Sequence, residues 1–211
     1  MRPHQKRMDE STMPGSGDRF TLFRNAVERF VDAGYQWLGI DHFAKAEDPL
    51  ALAADAGRLH RKFMGYTTRR QTDLIGFGVS AISQIADCYA QNAKDIQTWS
   101  ARIDAGKPAT VRGLFTDRDD RIRAEVIQAI MCQGGLSFRD IEARFDIDFR
   151  HYFRHELEVL PELAEDGLLA LDADHLQVLP PGRLLLRVIA ARFDAYLPGR
   201  ARAASPLLKA L

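Results

Sequence analysis

The residues with the clearest chemical potential form one run, Arg58-Leu59-His60-Arg61-Lys62-Phe63-Met64-Gly65-Tyr66-Thr67-Thr68-Arg69-Arg70, which holds five lysines and arginines and no acid. Guanidinium forks and an ammonium group bind carboxylates or phosphates through charge-assisted hydrogen bonds, while Gly65 and the threonines allow a tight loop with spare donors. A solvated basic loop has the same composition. Gly76-Phe77-Gly78-Val79-Ser80-Ala81 satisfies GxGxxA, the loose form of a dinucleotide fingerprint. Its glycines fall inside an apolar run rather than beyond it at a helix N-terminus, so they point to close backbone approach by a ligand or a neighbouring element. Asp41 and His42 close a strand-like segment. Adjacent strand residues face opposite sides, which predicts a structural hydrogen-bonding role and no joint acid/base work. Cys88 and Cys132 lie far apart with no CxxC or Cys/His cluster, so neither a disulfide framework nor a zinc site is legible. No Ser/His/Asp order, P-loop or HExxH supports a hydrolase or NTPase.

These residues need elements to hold them. Phe20, Phe23, Val27 and Phe30/Val31 recur at helical spacing behind Asp18, an expected N-cap, and Gly34 follows as a stop. Tyr35 to Asp41 reads as a strand, and Leu74 to Val79 as a second strand, apolar on both faces and therefore expected to be buried between layers. This order predicts an α/β fold, the end of a layered α/β structure. Beyond residue 91 the pattern becomes almost wholly helical, starting with Ile96, Trp99 and Ile103 behind Asn92. Ile122, Val126, Ile127, Ile130 and Met131 form one helical stripe; Ser137 and Asp140 resemble a capping box; a third helix starts near Arg150. Leu169/Leu171 and Leu176/Val178 flank a turn and predict a hairpin, followed by a last helix through Leu184, Leu185, Val188, Ile189 and Phe193. That order is mainly α and winged-helix-like. Composition divides the chain into a connecting segment at 1–17, an α/β part at 18–110, a helical domain at 111–198 and a flexible tail at 199–211.

The 211 residues are 46% hydrophobic and 27% charged, which excludes general disorder. Twenty-nine basic residues balance 29 acidic ones, so no whole-chain field gathers the protein onto DNA or an anionic membrane. The helical part adds a local argument against nucleic acid: residues 155–181 hold seven acids and no lysine or arginine. Met1 to Arg7 leads into Asp9 and Glu10 without an apolar core, and no run approaches 18 apolar residues, so no membrane partner and a cytoplasmic location are expected.

Read in order, Tyr35-Gln36-Trp37-Leu38-Gly39-Ile40-Asp41-His42-Phe43-Ala44, Leu59 to Thr68, Gly76 to Ser83 and Asp87-Cys88-Tyr89-Ala90-Gln91-Asn92 closely resemble the oxygen-independent coproporphyrinogen III oxidases. Asp166-Gly167-Leu168-Leu169 and Pro181-Gly182-Arg183-Leu184-Leu185 through Leu197 resemble that family's accessory C-terminal domain, and the likeness runs from His4 to about Leu197. The resemblance implies the C-terminal half of a radical S-adenosylmethionine (SAM) enzyme. The fold it implies is the end of an incomplete α/β barrel followed by the helical domain, with the N-terminal barrel half as structural partner. It implies SAM and a 4Fe-4S cluster in the complete enzyme, and coproporphyrinogen III as substrate, two of whose propionates become vinyls on the way to haem. The cluster's closely spaced cysteines have no counterpart in this chain, so the chain by itself is expected to be inactive. The likeness puts Ile82, Phe63 and Met64 at a second SAM, although family members commonly carry glutamine where this chain has Met64. The substrate's propionates give Arg58, Arg61, Lys62 and Arg69 an anionic partner. The competing reading is a noncatalytic interaction or nucleic-acid-binding module that uses the loop at 58–70.

Overall fold

The computed structural model describes residues 9, 12–70 and 72–197. The tail at 199–211 and most of the segment before residue 12 lie outside the described residues. The first helix, α1 (Ser16–Asp32), begins inside the stretch assigned to a connector, and its N-cap is Gly15 rather than Asp18. Asp18 instead sits in the first turn, where its charge favours the helix dipole. Gly34, at φ +81°, releases the chain as expected.

β1 (Tyr35–Gly39) turns straight back into β2 (His42–Lys45), so the segment read as a lone strand is half of an antiparallel hairpin. Phe30 of α1 stacks on Phe43 at 4.5 Å and thereby holds the helix to this hairpin. The turn includes Ile40 at positive φ. Asp41 and His42 are consequently not alternating strand residues, and His42 Nδ1 approaches Asp41 Oδ1 at 2.9 Å. The expectation that they would stay apart is corrected by the turn, which swings both side chains to one side.

α2 (Pro49–Asp55), capped by Asp48, leads into a second hairpin of β3 (His60–Lys62) and β4 (Gly65–Thr67). Residues 60–67 of the run are therefore a β-hairpin rather than a loop. Leu74 to Val79 is not a buried strand: it makes one isolated bridge, Leu74 to Gln84, and Phe77 is 89% exposed. The strands nearby are β5 (Ile82–Ile85) and β6 (Cys88–Asn92). Gly76 lies against them, where a Cβ would come within 2.7 Å of the Ile82 carbonyl oxygen, the close backbone approach that the glycine pattern predicted. α3 (Ile96–Asp104) is capped by Asp95 rather than Asn92. β7 (Thr110–Phe115) then returns to complete the sheet β5-β6-β7. Sequence periodicity missed β7 because it is exposed along its whole length, and β6 because it is half-buried throughout, so neither gains an alternating pattern from a core.

α4 (Arg118–Gln133) carries a capping box between Asp117 and Asp120 and ends at Gly134 in the left-handed region. Its buried face is Ile122, Val126, Ile130, Met131 and Cys132, close to the predicted stripe. β8 (Gly135–Ser137) precedes α5 (Phe138–Phe145), and Ser137 occupies the N-cap without a side-chain cap bond, so the expected capping box there does not form. The third helix is broken at Phe153 into α6 (Phe149–Tyr152) and α7 (Arg154–Glu165). β9 (Leu169–Leu171) and β10 (His175–Val178) form the predicted hairpin, and β8 joins it in the order β8-β10-β9. The last helix is split into a 3-10 turn at Pro181–Leu185, α8 (Leu186–Ala190) and a 3-10 turn at Ala191–Phe193. Fully buried Ile122, Val126, Ile130, Leu160, Leu169, Leu176 and Ile189 make the core with an aromatic file of Phe138, Phe149, Phe153 and Phe193. Among the described residues every strand pairing is antiparallel, so the expected α/β layering is met by helices mixed with four small sheets.

Candidate anion-binding site

Side-chain hydrogen bonds fasten both strands of the basic hairpin to α4. Arg61 N–H donates to Gln128 Oε1 at 3.0 Å, and Gln128 Nε2 donates back to the Arg61 carbonyl oxygen. On the opposite strand, the Tyr66 hydroxyl donates to the Met131 carbonyl oxygen at 3.0 Å, where burial pushes its pKa up. Tyr66 fits there only because residue 39 is glycine: a Cβ at Gly39, φ +144°, would lie 2.5 Å from the Tyr66 oxygen. Arg183 ties the opposite side together by stacking on the Trp37 ring at 4.9 Å and donating to the Trp37 carbonyl oxygen at 2.6 Å.

Between this hairpin, α4, α5 and α8 lies a cavity of about 640 Å³. Its lining carries five lysines and arginines, namely Arg61, Lys62, Arg70, Arg144 and Arg187, against the carboxylates Glu125 and Asp194. Glu125 is shared: Arg70 Nη2 reaches it at 2.6 Å, and Arg144 Nη1 pairs with the same oxygen. Lys62 Nζ donates to the Thr72 carbonyl oxygen. His60 also lines the cavity, and burial together with the nearby Arg70 charge lowers its pKa. A cavity with this excess of fixed donors attracts oxyanions.

The structure thus brings Arg61, Lys62 and Phe63 of the sequence-derived candidates to one cavity. Arg58 and Arg69 are exposed and lie outside its lining, as do Met64 and Ile82. Sequence reasoning missed Glu125, Gln128, Arg144 and Arg187. Glu125 and Gln128 stand three residues apart beside the apolar stripe of α4, the one local hint that a polar partner docks there.

For iron-sulfur ligation the chain offers too little. Its sequence has two cysteines, Cys88 on β6 and Cys132 on α4. Burial pushes the Cys132 thiol up to about 12, which keeps it protonated at neutral pH. Among the described residues no group of three His, Cys, Asp or Glu side chains converges as a metal site. These residues do not fit a cluster, and no chemistry of this chain is routed through one. Among the described residues no helix is long and apolar enough to cross a membrane.

Comparison with known proteins agrees with the resemblance seen in the sequence. Residues 116–185 match the HemN C-terminal domain family. The oxygen-independent coproporphyrinogen III oxidase of Pseudomonas aeruginosa is 45% identical over 194 residues, which cover 92% of this chain and 42% of that protein. The enzyme of the same name from Thermostichus vulcanus is 44% identical over 198 residues, 93% of this chain and 61% of that protein. The solved coproporphyrinogen III oxidase (HemN) of Escherichia coli, described as a radical SAM enzyme, superposes with a TM-score of 0.87 at 41% identity, covering 92% of this chain and 44% of that one. The chain therefore spans less than half of the Pseudomonas and Escherichia relatives. By sequence and by fold, the chain is similar to the C-terminal portion of the oxygen-independent coproporphyrinogen III oxidases, and residues 116–185 match their HemN C-terminal domain.

Proposed function

We propose that this chain works as the C-terminal portion of an anaerobic coproporphyrinogen III dehydrogenase, a radical SAM oxidoreductase located in the cytoplasm. In that reaction two propionates of coproporphyrinogen III lose CO₂ and become vinyls, giving protoporphyrinogen IX in haem synthesis. The observation that supports this reading is the match over 92% and 94% of the chain to two relatives named oxygen-independent coproporphyrinogen III oxidase. A cluster with SAM would supply the hydrogen-abstracting radical chemistry. This chain's residues would bind and orient the substrate and exclude water. Within the reading, residues 18–110 close the α/β barrel, and 111–198 form the winged-helix-like accessory domain.

Arg61 and Lys62 are the proposed substrate contacts, because they line the basic cavity and substrate propionates are oxyanions. Arg58 and Arg69 flank the same hairpin and add positive charge at its two ends. Ile82, Phe63 and Met64 are the proposed SAM contact, with Phe63 at the cavity wall. The nucleic-acid reading is not favoured, since Arg70 of the hairpin is already paired with Glu125 and the chain's 29 basic residues are balanced by 29 acidic ones.

The test is a chimera in which this chain replaces the matching C-terminal portion of the Pseudomonas aeruginosa relative. Reconstituted anaerobically with SAM and a reductant, it should convert coproporphyrinogen III. A folded, cluster-loaded chimera that cleaves SAM yet forms no protoporphyrinogen would refute the assignment.

A further inference from the structure

We propose that the open edge of β7 pairs with the same edge of a second copy of this chain, joining two three-stranded sheets into one antiparallel sheet about a two-fold axis at Leu114. This interface goes beyond the enzyme reading and does not depend on it.

β7 is the outer strand of the sheet β5-β6-β7, and all six of its residues are exposed. Proteins ordinarily protect such an edge with lysines, prolines or inward charges. β7 has a single charge, Arg112, and carries Leu114 at 51% exposure and Phe115 at 82%. The Thr116 N–H donates to the Asp87 carbonyl oxygen at 2.8 Å, and Phe115, Leu114 and Gly113 then pair in step with Cys88, Tyr89 and Ala90. Hydrogen-bonding direction alternates along such a ladder, so Leu114 turns its N–H and C=O toward β6 while Gly113 and Phe115 turn theirs to the open side. The register slips only between Gln91 and Asn92, which leaves residues 112–116 as a regular edge.

A second β7 laid antiparallel on that edge and centred on Leu114 sets Gly113 of each copy opposite Phe115 of the other, where each pair exchanges two backbone hydrogen bonds. Leu114 faces its own copy, and Arg112 faces Thr116. No like charges meet in this register, whereas an axis at Arg112 would set two guanidinium groups opposite each other and an axis at Gly113 would run the pairing into the slip. Phe115 covers the bare backbone of Gly113 in the other copy. A two-fold interface requires one surface that matches itself, and this edge does. With 29 basic and 29 acidic residues, two copies have no net charge at pH 7 to hold them apart.

The 211-residue chain is followed by sedimentation velocity and light scattering over a dilution series. It should pass from monomer to dimer with rising concentration and go no further. Leu114→Lys and Leu114→Glu each place like charges at the axis and should each raise the dimer Kd by about tenfold or more, and an equal mixture of the two should associate again. Leu22→Lys, at an exposed position of α1, should leave the dimer unchanged. In the parent, the Gly113 and Phe115 amides should exchange more slowly as concentration rises, while that of Leu114, already bonded to β6, changes less. Circular dichroism checks that the variants are folded, and the amide measurement on the parent stands without them. A monomer at every concentration overturns the interface, as does growth beyond a dimer, a dimer indifferent to both Leu114 variants, or a mixture that fails to associate. Amide exchange at Gly113 and Phe115 that ignores concentration overturns the edge pairing.

Discussion

Replacing Gln128 with alanine removes the clamp that fixes Arg61. The side-chain amide makes two reciprocal bonds with the Arg61 main chain, one in each direction, across 67 residues of sequence. Both partners are part-buried, so truncation leaves an N–H and a C=O facing a gap. At about 1 kcal/mol net for each neutral bond, the loss is about 2 kcal/mol. For a cooperatively unfolding chain of this size that lowers Tm by about 4–8 °C. Tyr66 still anchors β4 to α4 through the Met131 carbonyl, so the hairpin should loosen at β3 without detaching. Amide hydrogen exchange should therefore accelerate at Arg61 far more than at Tyr66. Gln128→Glu keeps an acceptor for the Arg61 N–H but sets a carboxylate against the Arg61 carbonyl. It should be at least as harmful at pH 7 and recover toward the parent when the carboxylate is protonated. The argument fails if both variants melt with the parent and the Arg61 amide exchanges at its parental rate.

Two further outcomes follow from the network behind the aromatic file. Arg123, 17% exposed, donates to Glu156 at 2.6 Å, to Asp119 at 2.8 Å and to the Phe193 carbonyl at 3.1 Å. Glu156→Ala should cost about 1.5–3 kcal/mol, read as a shift in the urea midpoint with an unchanged slope, because a charge-assisted bond to a poorly solvated guanidinium is lost. The second outcome concerns acid. Burial alone would raise the Asp119 carboxyl, but the Tyr152 hydroxyl at 2.5 Å and Arg123 outweigh it and hold the group below its ordinary value of 3.8. The folded state thus binds that proton less readily than the unfolded state. Its stabilisation is complete above the ordinary value and is lost as pH falls through the lowered folded one. The urea-midpoint gap between the parent and Asp119→Asn should be widest near pH 6 and shrink toward pH 3, whereas a constant gap would exclude the linkage.

The sequence by itself determined the elements whose pattern is local. Phe20, Phe23, Val27 and Phe30 marked α1 by their spacing, and the Ile122 to Met131 stripe and Leu169 to Val178 marked α4 and the hairpin, which bury one face in the core. Its ordered motifs also carried the family resemblance, and its basic run singled out the hairpin that borders the cavity. The tertiary structure alone decided what those residues do. The run Leu74 to Val79 is apolar enough for a buried strand, yet it makes one isolated bridge, Leu74 to Gln84, and Ile75 and Phe77 stand in solvent. Asp41 and His42 meet because Ile40 takes a left-handed turn that no residue type at that position predicts. Five hairpin cations look equivalent in the sequence, but Glu125, 55 residues beyond Arg70, binds that one and leaves Arg61 open. Charge is a property of composition. Which charge stays unpaired depends on distances between segments that only chain packing fixes.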